Sequence, residues 1–218
     1  MRASLFLKAR NVRGGGGGGS SGILSGGTIL PLEFYPSPVL RAICAAVVPG
    51  GGRALSASLI ATAASHDALG LAAPQVGTPS RIFALRVPAG WTSVMARRAG
   101  NATRANAAHG HFVACVNPRV VSRGAGVFLG LEACLSLPDT SAALIRRSSE
   151  IRVSYTNGAT GEIVETDLDG LPAAVFQHEL DHLDGVLITD VAEPILRGDA
   201  LDEAQDAFHS ALSHYYAV

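Results

Sequence analysis

The sequence predicts an α+β fold, with antiparallel β-sheets packed around one central helix and a further helix near the C-terminal end. Three observations carry that expectation. Pro172 to Leu183 reads as a helix, with a proline suited to its first turn and Gly185 placed to stop it. Ile151–Tyr155 alternates apolar and polar residues, and Asn157-Gly158 turns it into Glu162–Thr166, a β-hairpin pattern. Two more short apolar runs, Ile82–Val87 and Phe112–Val121 around Asn117-Pro118, read as strands.

The remaining elements follow in chain order. Residues 1–27 carry Arg2, Lys8, Arg10 and Arg13 and no carboxylate, since the first acidic residue is Glu33. Serine and glycine dominate there, and no apolar h-region of a secretory signal is present. That composition fits a disordered leader or an organellar transit peptide, which points to a mitochondrion or plastid, and otherwise to the cytoplasm. The globular part begins at about Thr28 and runs to residue 218. Leu55 to His66 has helical spacing, with Leu55, Leu59, Ile60 and Ala63 on one stripe, and Asp67-Ala68-Leu69-Gly70 breaks it. Gly70 to Gly77 reads as a loop, residues 97–111 as an exposed loop, and Glu132 to Pro138 as a small-residue turn between strand-like segments. A last helix is expected from about Leu201 to Tyr215.

A length of 218 residues and 48 % hydrophobic content suit one domain with a sizeable core. The net charge of −1 gives no overall attraction to nucleic acid or anionic lipid, so neither is an expected partner. No apolar run approaches the roughly 18 residues a membrane span requires. Cys44, Cys115 and Cys134 do not form a disulfide framework in a chain of this length and suggest a reducing compartment.

The chemistry concentrates in Gln177-His178-Glu179-Leu180-Asp181-His182. Two histidines four apart lie on one helical face and can reach a single metal ion, and Glu179 can then hold or move the protons of a water there. A catalytic metal needs a third protein ligand and an open position. The extended protease pattern with a histidine at position 188 is excluded, because Ile188 cannot ligate. Glu203 downstream and Cys134 upstream remain as candidates. Asp181 reads as an ion-pair partner, with Arg146 or Arg147 opposite it or solvent around it, and Glu132 as a similar support. Cys44 and Cys115 read as buried thiols.

Three segments taken together resemble the peptide deformylase family, whose motifs are GφGφAAPQ, EGCLS and QHExDH, with φ apolar. They stand here in that order as ALGLAAPQ, EACLS and QHELDH, and Tyr35-Pro36-Ser37-Pro38-Val39-Leu40-Arg41 echoes the family's opening. The likeness extends from about Leu30 to Asp190. It implies Cys134, His178 and His182 as metal ligands and Glu179 as general acid/base. It also implies the Gln75 amide and the Leu135 N–H as oxyanion donors. Ala68, Leu69, Gly70 and Ala133 would border the peptide. The implied reaction is removal of the formyl group from N-formyl-methionyl ends of new peptides, with Fe²⁺ as the usual ion and Zn²⁺, Ni²⁺ or Co²⁺ as substitutes. The ribosome would be a transient partner.

Two positions depart from the family pattern, Ala68 and Ala133, each standing where a glycine is usual. A methyl group at either place could narrow the peptide groove or point away from it. The alternatives are accordingly a deformylase-like peptide binder with little turnover, or a zinc endopeptidase using Glu203.

Overall fold

The computed structural model describes residues 26–87, 111–138 and 143–193, together with Ser210. The expected leader therefore lies almost wholly outside the described residues. So do most of the 97–111 loop, Glu203, and the C-terminal helix except Ser210.

A five-stranded antiparallel sheet has the order β1-β2-β3-β6-β7. Its strands are β1 (Gly70–Ala72), β2 (Ile82–Val87), β3 (His111–Arg123), β6 (Glu150–Asn157) and β7 (Ile163–Asp169). A separate two-stranded sheet pairs β4 (Val127–Glu132) with β5 (Ala143–Ser148). Helix α1 (Arg53–Ser65), helix α2 (Gly170–Leu183) and a one-turn helix α3 (Ile188–Val191) complete the described body. The α+β architecture expected from the hairpin and the single strong helix is the one observed.

Strand β2 shows how the layers form. Ile82 and Ala84 join one apolar cluster with Leu59 and Ala63 of α1. Phe83 and Leu85 join another with Val175 and Phe176 of α2. Alternate side chains of a strand face opposite sides, so a run apolar at both parities is covered on both faces. The Phe83 and Phe176 rings meet edge to face with centroids 5.0 Å apart. Fully burying each ring contributes about 1.5–3 kcal/mol.

Helix α2 is buried over nearly its whole length, as a central helix must be. Its end is closed by a Schellman arrangement: Val186 N–H donates to Asp181 O at 2.9 Å, and Gly185, at φ +73°, donates to His182 O. Buried Gln177 ties the helix to the small sheet. Its amide donates to Ser148 O at 2.9 Å and accepts from Ser148 N–H at 3.2 Å, replacing a missing strand neighbour.

Two local expectations need correction. Gly70 to Gly77, read as a loop, is strand β1 followed by a tight 3-10 turn over Ala73–Val76. Gly-Leu-Ala has little strand propensity, and it is pairing with Phe83, Ala84 and Leu85 that makes it a strand. The hairpin turn is also longer than Asn157-Gly158. The Asn157 side chain accepts from Ala159 and Thr160 N–H, and the positive φ falls at Gly161. Gly158 serves a different need, because a Cβ there would meet Ser56 of α1.

The extended stretch before the first strand runs along the site region. Glu33 N–H donates to Gln75 O at 2.8 Å and Tyr35 N–H to Ser136 O at 2.9 Å. Further back, Leu30 N–H reaches the Thr62 hydroxyl on α1 at 2.9 Å.

Candidate active site

Three elements converge beside the middle of α2. The helix supplies His178, Glu179 and His182 from one face; the turn after β4 supplies Cys134, and the turn after β1 supplies Gln75. Ligand atoms of Cys134, His178 and His182 all lie within 4.8 Å of one another, and all three residues are buried. Cys134 Sγ stands 3.2 Å from His182 Nε2. The two imidazole rings are 5.0 Å apart and steeply inclined, at 76°.

Behind the first histidine stands a buried charge network. His178 Nδ1 lies 2.8 Å from Glu132 Oε2, which leaves Nε2 for the cluster. Glu132 takes two parallel hydrogen bonds from Arg147, both at 2.9 Å, and a third guanidinium nitrogen donates to Asp181. The Arg147 and Glu132 side chains are only 7 % and 2 % exposed. Burial disfavours the Glu132 carboxylate, yet hydrogen bonds from Arg147 and His178 outweigh it and hold the group down at about 2. The alternation of β5 chooses between the two adjacent arginines: Arg147 points inward, whereas Arg146 is exposed and pairs with Glu193.

Glu179, expected from the sequence as the acid–base group, lies on the same helix as both histidines. It is 3 % exposed, and its Oε2 has no hydrogen-bond partner. Burial raises its pKa to about 7 against the pull of the two histidines, and a bound cation would draw it lower. At Cys134 the same burial would push the thiol up, but His182 and His178 outweigh it and bring it down to about 5.

Gln75 is held at both ends of its amide. Oε1 accepts from Ala72 N–H at 2.8 Å, so Nε2 turns toward the cluster, 3.3 Å from Ser136 Oγ and 3.5 Å from Cys134 Sγ. Ser136, buried and closing the Glu-Ala-Cys-Leu-Ser segment, is a support that the motif contained but the sequence argument did not use. Leu135 lies between these two residues, half-buried.

The residues expected at the peptide groove are not all at a surface. Ala68 has no exposed area and packs with Leu59, Ala63 and Leu71, so its methyl fills the core under α1. Leu69 is buried on the opposite side with Phe83 and Phe176. Ala133 is half-buried and packs against that second cluster. Gly70 is buried against Glu179.

One thiolate and two imidazoles suit a borderline first-row divalent ion and not calcium or magnesium. The fold and donor set thus fit the class of hydrolases with an H-E-x-x-H helix, with Cys134 beside the two histidines as a candidate third ligand.

The sequence pattern of the family described as polypeptide deformylase matches residues 29–197, and the chain belongs to that family. It is 38 % identical over 153 residues to the peptide deformylase of Thermotoga neapolitana, covering 68 % of this chain and 79 % of that protein. To the Thermus thermophilus peptide deformylase it is 34 % identical over 161 residues, covering 73 % and 80 %. The crystal structure of peptide deformylase from Thermotoga maritima superposes with a TM-score of 0.62 at 34 % identity, covering 77 % of this chain and 99 % of that one. A Met-Ala-Ser-bound class I type b peptide deformylase from Acinetobacter baumannii superposes at 0.61 with 28 % identity, covering 75 % and 98 %. The activity is hydrolysis of the formyl amide at peptide N-termini.

Proposed function

We propose that Cys134, His178 and His182 hold the divalent ion, Fe²⁺ in the native protein, and that Glu179 carries the proton. The observation that supports this most directly is the closeness of the three ligand atoms to one another, with a buried carboxyl group next in sequence to His178 whose Oε2 has no hydrogen-bond partner among the described residues. A bound ion supplies Lewis acidity to a water molecule and to the formyl carbonyl. Glu179 takes a proton from the attacking water and returns it to the leaving amine, so that amide and water become amine and formic acid, whose proton passes to the amine as formate departs. A carboxyl group carried on the same helix as both histidines and held out of solvent can make both transfers.

Gln75 Nε2 and the Leu135 N–H stabilise the oxyanion, and both are preorganised. Gln75 is clamped by Ala72 and Ser136, and Leu135 sits in the turn between Cys134 and Ser136. Strand β1 lies at the edge of the five-stranded sheet, so its outer backbone edge is where an extended peptide can add beside Glu179. The peptide in the Acinetobacter baumannii structure supports a short N-terminal ligand of this kind. Substrates are N-formyl-methionyl peptides as they are made, which brings the protein transiently to the ribosome.

The test is formate release from formyl-Met-Ala-Ser by protein loaded anaerobically with Fe²⁺. Cys134→Ser should reduce metal content from one ion per chain to a small fraction and abolish release. Retention of both metal and activity by this variant would rule out the thiolate as third ligand and return attention to Glu203.

Residues 1–27 are further read as a leader to a mitochondrion or plastid, supported by their basic, acid-free composition and by a family match that begins at residue 29. Fused to a fluorescent reporter, they should concentrate it in one of those organelles. A diffuse cytoplasmic signal would reject targeting.

A further inference from the structure

We propose that Gly70 is a positioning residue whose missing side chain makes the space in which the Glu179 carboxyl group sits. The proposal rests on Glu179 as proton carrier and adds what holds that group in place. Gly70 is the first residue of β1, and its backbone does not need glycine: its φ lies outside the positive region that Gly77, Gly170 and Gly185 occupy. An alanine would adopt the same conformation. What excludes it is steric. A Cβ built there would fall 2.6 Å from both Cγ and Cδ of Glu179, with Oε1 nearer still. The three nearest atoms all belong to that one side chain.

Neither partner has an easy retreat. The strand backbone is paired to β2 through Gly70↔Leu85, Leu71↔Ala84 and Ala72↔Phe83, and the next residues build the Gln75 turn. Glu179 is 3 % exposed, so it cannot swing into solvent. The cheaper response to a methyl group is rotation of the carboxyl group away from β1, with the chain still folded. That displaces the proton carrier relative to the Gln75 amide while leaving Cys134, His178 and His182 where they are. A displacement on the order of 1 Å costs about 10²-fold in rate.

The experiment is a cycle of Gly70→Ala, Glu179→Ala and the double variant, read by kcat, KM, metal content and unfolding midpoint. Gly70→Ala should keep one metal per chain and lower kcat by about 10²-fold with KM nearly constant. Alanine at 179 has no Cγ and so leaves room for the new methyl. The double variant should therefore be no slower and no less stable than Glu179→Ala alone. Additive losses, or a loss confined to KM, would overturn the proposal and assign Gly70 to peptide binding alone. An unchanged kcat in Glu179→Ala would instead remove the proton-carrier reading beneath it. Should Gly70→Ala be too unstable to assay, Gly70→Ala/Glu179→Ala must recover its unfolding midpoint. Failure to recover would show that the obstruction is not Glu179.

Discussion

Glu179→Gln should lower kcat/KM for formyl-Met-Ala-Ser by about 10²–10⁴-fold, the usual contribution of a positioned general acid/base. Glutamine matches the side chain in shape, so the space beside Gly70 stays filled and the core is not opened. Metal content should remain one per chain, because the proposed ligands are Cys134, His178 and His182. Folding stability should change little, since the carboxyl oxygen replaced is already without a partner. The amide can neither accept the proton of water nor hand one to the amine. A variant within a few-fold of wild type, with full metal, would show that another group carries the proton.

The second large effect is on stability. Arg147→Ala should cost about 3–5 kcal/mol in urea unfolding, because it leaves Glu132 buried beside His178 without its cation. Arg147 also reaches Asp181, so one side chain braces β4 and α2 from β5. Orientation of His178 should suffer as well, with metal affinity falling about 10–100-fold. Arg147→Lys should recover little, since an ammonium group cannot donate the two parallel bonds that Glu132 receives. A loss below about 1 kcal/mol, the range of solvated surface pairs, would contradict the buried geometry.

How much of this was legible beforehand depended on whether a residue's role is local. The limits of α2 are written in Pro172 and Gly185, and β2 in its unbroken apolar run, because helix ends and strand parity are short-range properties. The H-E-x-x-H spacing is of the same kind. Strand β1 was not legible, because Gly70-Leu71-Ala72 is a strand only by pairing with β2. The direction of the Ala68 methyl was equally hidden. Motif position places it near the peptide, but the left-handed turn at Asp67, φ +51°, and the packing of α1 send the methyl inward. Which of Arg146 and Arg147 turns inward depends on the parity of β5 relative to α2. The doubt about peptide access attached to Ala68 thus loses its footing, because a side chain with no accessible surface cannot line a groove.

The extended stretch at the start of the described body sets a limit on N-terminal maturation. Glu33 and Tyr35 hold the Gln75 turn and the Ser136 turn through single backbone hydrogen bonds, so both oxyanion-side segments hang on the same short strap. Gly27 already lies against the α1 backbone, so close that a Cβ there would overlap Ala57 O. A processing protease that cuts before Gly26 leaves these contacts in place. One that cuts past Tyr35 removes both hydrogen bonds, and should leave the proposed ligands in place with the Gln75 and Ser136 turns loosened.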